Sequence, residues 1–280
     1  MTSFVIMKRI MSFLAYGNVV VAFSAAGMAA SWMALDLSVP INYPLFVFLA
    51  TLASYGYMHL QEAEQTQNTE HPVLAFSLRN KRYLQWQTVL AFIGALMVLT
   101  QFSLPLILWL APVAMLAALY PPNPLIRKGL RQIPGAKLPL IAGCWSWLSA
   151  VLPLVHLTAV DSLYIVWGGV QHFLWIYALA IAFDIRDLAT DNGRMLTLPQ
   201  RGLNKAVYIA WACIGLVELG ILVEGLVNDH NWWMIIGRLI PLEMSSLALW
   251  RIRRKVDPLF ISFHVEALPI LYAILMFLSP

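Results

Sequence analysis

Nine stretches of this 280-residue sequence stay apolar for about the length of a bilayer crossing, with little chain between them. A helix rises about 1.5 Å per residue, so crossing a hydrocarbon core about 30 Å thick takes roughly 20 apolar residues. The runs extend from Ile10 to Leu35, Tyr43 to Leu60, Leu84 to Ser103, Leu104 to Tyr120, Leu138 to Leu157, Leu163 to Phe183, Ala206 to Val227, Trp232 to Trp250 and Pro258 to Leu278. The third and fourth abut, which places Pro105 in a very tight turn. The expected fold class is all-α: a polytopic membrane protein of about nine transmembrane helices. No Gly/Ser linker, charge block or low-complexity stretch divides the chain, so residues 1–280 are expected to form a single transmembrane domain. A soluble core is excluded by composition, because 60% of residues are hydrophobic and only 11% charged, against about a quarter charged in soluble domains.

Orientation follows from where Lys and Arg fall. Lys8 and Arg9 precede the first run, Arg79, Lys81 and Arg82 follow the second, and Arg127, Lys128, Arg131 and Lys137 follow the fourth. Arg186, Arg194, Arg201 and Lys205 follow the sixth, and Arg251, Arg253, Arg254 and Lys255 the eighth. All but Arg238 of the 18 basic residues therefore gather on one face. The expected localisation is integral and multi-pass, with a cytoplasmic amino terminus and, for nine crossings, the carboxyl terminus on the opposite side. The first run is too long for the apolar region of a cleaved signal peptide and is read as a crossing. Cys144 and Cys213 lie inside apolar runs without ligand-like spacing and are read as packing residues.

Chemistry concentrates in the long loops of the basic face. At the end of the sixth run, Asp184, Asp187 and Asp191 fall at i, i+3 and i+7, one stripe of a continuing helix. Three carboxylates on one stripe repel one another unless a cation lies among them, and Mg2+ suits such a place because it needs few carboxylates and accepts phosphate oxygens. A solvated helix end is the plainer alternative. The loop after the fourth run brings Arg127, Lys128, Arg131 and Lys137 to the same face, where basic groups can grip a diphosphate. Membrane orientation alone also accounts for those four.

The stretches "LYPPNPLIRKGLRQIPGAKLPLIAGCWSW" and "AFDIRDLATDNGRMLTLP", with Gly193, Thr197, Leu198 and Pro199 after the aspartates, complete a pattern that resembles the UbiA-type membrane prenyltransferases over nearly the whole chain. The resemblance implies a ring of nine helices around a lipid-open cavity. It implies transfer of a prenyl group from an allylic (poly)prenyl diphosphate to an aromatic or lipophilic acceptor within the membrane, with Mg2+ as cofactor and no nucleic-acid partner. Carried over by position, Asp184, Asp187 and Asp191 would be metal ligands, with Asp187 central to catalysis. Arg186, Arg131 and Lys137 would contact the diphosphate with Tyr120 beside them. Trp145, Trp147, Trp175 and Tyr177 would be candidates to shield an allylic carbocation through their aromatic faces.

One part of the pattern departs from that family. Its first aspartate-rich motif, near the end of the second run, is replaced by "LASYGYMHLQEAEQ". Tyr55, His59 and Glu62 still share a helix face at i, i+4 and i+7. Glu62 is the candidate metal ligand there and Tyr55 a candidate substrate contact. His59, a poor magnesium ligand, would hydrogen-bond the diphosphate or serve as a base towards the acceptor. A helix end entering an ordinary polar loop is again the plainer alternative. Inside the runs lie His156, His172, Glu218, Arg238, Glu243, His264 and Glu266, with His172 expected to be able to face the cavity and Arg238 to pair with Glu243 or Glu218. A non-catalytic isoprenoid-binding relative and, with no inverted repeat to support it, a small transporter remain open at this point.

Overall fold

The computed structural model describes residues 2–34, 40–66, 69–121, 129–156, 161–188, 197–227 and 231–279, and all regular structure among them is helical. The helices are α1 (Thr2–Tyr16), α2 (Val19–Ser31), α3 (Asn42–Thr66), α4 (Pro72–Arg79), α5 (Lys81–Leu99), α6 (Leu104–Leu119), α7 (Lys137–Val155), α8 (Ser162–Asp187), α9 (Leu203–Val227), α10 (Trp232–Arg254) and α11 (Pro258–Leu278). Each apolar run read from the sequence falls on helix. By length and apolarity alone α5, α7, α8, α9 and α11 suffice to cross a membrane, and α1 with α2 makes a sixth bent by 62°. α6 is shorter, while α10 carries Arg238 and Glu243 within its length and three arginines in its last turn.

Local chemistry explains the breaks. Between α1 and α2, Asn18 takes the left-handed conformation at φ 64°, which Asn tolerates better than most residues. A Cβ at Gly17 would lie 2.5 Å from the Phe13 carbonyl oxygen, so the bend requires glycine there. Pro105 does not sit in the turn expected of it. The turn is made at residues 100–103, and Pro105 occupies the first turn of α6, where its missing N–H has no partner to lose. Two helices contain a π turn, Trp147–Val151 in α7 and Ile261–Val265 in α11. Proline follows each, Pro153 and Pro269, and a missing N–H is a recognised cause of such local widening.

The helices are arranged as a ring with little packing of α5 on α6: α2 packs on α3, α3 on α5, α6 on α7, α7 on α8, α8 on α9, α9 on α10, α10 on α11, and α11 back on α2. Between lipid-solvated helices there is little hydrophobic driving force, so close approach through small side chains has to supply cohesion. α8 provides it with Ala178, Ala180 and Ala182, all buried against a cluster that includes Ile214, Leu249 and Tyr272. The ring is thinnest at α5 and α6. Their apolar side chains Trp86, Leu90, Leu104 and Met115 face outward as a lipid-exposed surface.

Candidate functional site

The ring encloses a cavity of about 780 Å³, walled mostly by apolar side chains, alanine and leucine the commonest among them. Phe92 and Leu96 line it yet are 57% and 47% exposed, so the cavity opens sideways past α5 towards lipid. One end is polar. Tyr55, His59 and Glu62 of α3, Tyr120, Arg131, Lys137 at the start of α7, and Asp184, Arg186 and Asp187 of α8 all line it. Residues that the sequence scatters over three segments are thus brought together. Asp191 lies outside the described residues, as do Gly193, Arg127 and Lys128.

Helical spacing stacks Asp184 and Asp187 one turn apart on α8. Lys137 Nζ stands 2.5 Å from Asp184 Oδ1 and 3.9 Å from Asp187 Oδ2. Arg186 donates from Nε to Asp187 Oδ1 at 2.7 Å, and from Nη1 to Ser262 Oγ of α11 at 2.6 Å. His71 Nε2 reaches the same Asp187 oxygen at 3.0 Å. On the α3 side, Arg131 donates both Nη atoms to Glu62, at 3.0 and 3.1 Å. Glu62 lies beyond the apolar run that ends at Leu60. Burial pushes its carboxyl up, but the Arg131 fork outweighs burial and holds it below the ordinary value. Three carboxylates, Glu62, Asp184 and Asp187, are therefore balanced by three cations, Arg131, Lys137 and Arg186, before any ligand binds.

Whether a divalent cation fits turns on which carboxylate oxygens are free. Among the described residues no three His, Cys, Asp or Glu side chains gather as a metal cluster. Magnesium does not need three, since one or two carboxylates with water and phosphate oxygens complete its shell. Asp184 is 1% exposed; its Oδ1 is engaged by Lys137, and its Oδ2 has no hydrogen-bond partner among the described residues. A buried carboxylate with unused lone pairs beside a second carboxylate fits one such ion on α8. Glu62, with both oxygens on Arg131, offers a second ion nothing without releasing that arginine.

Other side chains singled out in the sequence lie elsewhere. Of the four aromatic candidates only Trp145 lines the cavity. Trp147 donates to the Trp109 carbonyl, Trp175 is buried and donates to Ser245 Oγ, and Tyr177 stacks on Phe173. His172 is buried away from the cavity, with Nδ1 2.8 Å from Ser149 Oγ and its ring between Trp32 and Tyr272. Arg238 pairs with neither Glu243 nor Glu218 but with Glu224, at 2.8 Å. Two site residues escaped sequence reasoning, His71 and Ser262. His71 is the N-cap of the short helix α4 in a long loop of the basic face, and that placement was its one available signal.

No family model matches this chain, and no curated protein does. Among solved structures, a digeranylgeranylglyceryl phosphate synthase studied in membranes superposes with a TM-score of 0.58, covering 98% of this chain and 98% of that one at 13% identity. The chain shares that protein's fold from end to end, and the expected all-α membrane bundle is the architecture observed.

Proposed function

We propose that this chain is an intramembrane prenyltransferase that moves a prenyl group from an allylic prenyl diphosphate to an aromatic or lipophilic acceptor. The observation that carries the reading is the amphipathic cavity: one wall of charged groups suited to a diphosphate, continuous with an apolar chamber open to lipid and suited to the chain attached to it. The shared fold with a digeranylgeranylglyceryl phosphate synthase supports it. Residues 1–280 act as one membrane domain, with the charged pole at the cytoplasmic face, the amino terminus on that side and the carboxyl terminus opposite.

In this reading the ion pairs are the resting state. Diphosphate oxygens compete with Asp187 and Asp184 for Arg186 and Lys137, and with Glu62 for Arg131, so the guanidinium and ammonium groups pass from carboxylate to leaving group. His59 and Tyr120 contribute hydrogen bonds to the same oxygens, and Tyr55 flanks the allylic carbon. Asp184 and Asp187 would hold Mg2+, with Asp191 as a third carboxylate and Glu62 joining only if Arg131 leaves it. When bound there, Mg2+ supplies charge neutralisation for the departing diphosphate. His71 and Arg186 keep Asp187 oriented in the absence of substrate.

The test is diphosphate release from geranylgeranyl diphosphate by the purified protein in lipid nanodiscs. Release is expected on adding MgCl2 to the wild type and is expected to be abolished in Asp187→Ala. Unchanged release in that variant would remove the assignment of the α8 carboxylates.

A further inference from the structure

One acid in the cavity belongs to none of the ion pairs. Glu266 follows the π turn of α11 directly, and its N–H reaches back to the Ile261 carbonyl at 3.3 Å. Its own carbonyl accepts from Ser24 Oγ of α2, so the backbone is held from both sides. The side chain lines the cavity. No hydrogen bond or ion pair among the described residues ties its carboxyl. Its charged and titratable neighbours are Arg186 and Asp187 of α8 and Tyr55 of α3.

Its depth gives it meaning. α11 leads away from the charged pole, and Ser262, which holds Arg186, marks the diphosphate layer. Glu266 comes four residues later, about one turn or roughly 5 Å deeper. α3 leads towards the pole, so Tyr55 stands one turn deeper than His59. Tyr55 and Glu266 thus form a second layer beneath the cations. A diphosphate gripped by Arg131, Lys137 and Arg186 places its allylic carbon one ester link below, in that second layer.

Resting on the prenyl-transfer reading, we infer that Glu266 is the proton acceptor of the reaction. The bond between the allylic carbon and the diphosphate oxygen breaks, its electron pair leaving on the diphosphate. The acceptor gives an electron pair to the allylic carbon, and its displaced hydrogen passes as a proton to the Glu266 carboxylate. A neutral nucleophile that forms this bond becomes positively charged and has to shed a proton, and an apolar chamber provides little water to receive it. The other candidates stand in the diphosphate layer above: Asp184 and Asp187 would hold Mg2+ there, and Glu62 and His59 border the diphosphate oxygens and the cations that grip them.

Glu266→Gln keeps the shape and removes the base. With geranylgeranyl diphosphate, MgCl2 and 4-hydroxybenzoate, and water as the ever-present second nucleophile, the product is prenylated phenol or prenyl alcohol. Formation of either is expected to fall about 10²–10⁴-fold in Glu266→Gln, with the KM for the diphosphate unchanged and partial recovery in Glu266→Asp. In the unmutated protein, dicyclohexylcarbodiimide is expected to label Glu266, and bound geranylgeranyl thiolodiphosphate to protect it, a readout that no folding defect can mimic. Wild-type turnover in Glu266→Gln, a raised KM for the diphosphate, or labelling indifferent to the bound analogue overturns the inference and leaves prenyl transfer standing. A wild type that neither binds nor consumes geranylgeranyl diphosphate overturns both.

Discussion

Asp184 and Lys137 form one ion pair with two unequal partners. The aspartate side chain is 1% exposed and the lysine 14%, and the lysine also has Asp187 within 3.9 Å. Removing the lysine strands a charge that water cannot reach, whereas removing the aspartate leaves an ammonium with a second carboxylate and a flexible stem. Lys137→Ala is therefore expected to destabilise the fold by about 3 kcal/mol, and Asp184→Asn by about 1 kcal/mol or less, compared as thermal midpoints in the same detergent. Equal losses would mean that burial does not distinguish the partners. Asp184→Asn should still lose any stabilisation by MgCl2 with inorganic diphosphate, because the free lone pairs belong to that carboxylate. Asp184 and Asp187 were legible in the sequence because their partnership is local, a helical i, i+3 step. His71 was not, since it meets Asp187 across 116 positions, and neither was Ser262, 76 positions from Arg186. Short-range spacing carries no information about which loop residue the bundle folds over a carboxylate.

At the scale of helices, the same limit separates the runs from their joints. Hydropathy placed helix at all nine runs because each must satisfy its backbone internally in lipid. It did not reveal the bend at Gly17 and Asn18, where the sequence remains apolar and one backbone conformation interrupts it, nor the eight-residue α4, too short to have a period. How tightly helices approach is likewise a property of pairs. At Gly56 an added Cβ would lie 2.2 Å from Thr88 Oγ1, so α3 and α5 touch there with no room for a methyl group. Gly56→Ala is expected to cost about 1–3 kcal/mol through overpacking. Most of that should return in Gly56→Ala combined with Thr88→Ala, because the obstructing atom is a side chain. Thermal melting of the two variants decides the matter, and equal midpoints would place the strain in the backbone instead.

Across the whole molecule, charge is gathered at two poles separated by the apolar chamber. Opposite the cavity's polar end, Arg238 of α10 donates to Glu224 of α9 at 2.8 and 3.2 Å and to Gln171 of α8 at 2.5 Å, and Gln171 donates to Glu224 at 3.1 Å. All three are buried, at 4–7% exposure. The network joins three adjacent helices of the ring, and none of its members lines the cavity. A buried ion pair offers little net stability over apolar packing of the same volume, yet its half-removal is costly because the surviving charge cannot be solvated. Arg238→Leu should therefore lose about 3–5 kcal/mol, while Arg238→Leu with Glu224→Leu and Gln171→Leu should regain most of it. If the network serves only to set the register of α8, α9 and α10, the triple variant keeps magnesium-dependent diphosphate release within a few-fold of wild type. If a well-folded triple variant loses that release, the two poles are coupled through α8, the helix that carries Gln171 in its first half and Asp184 and Asp187 in its last turn.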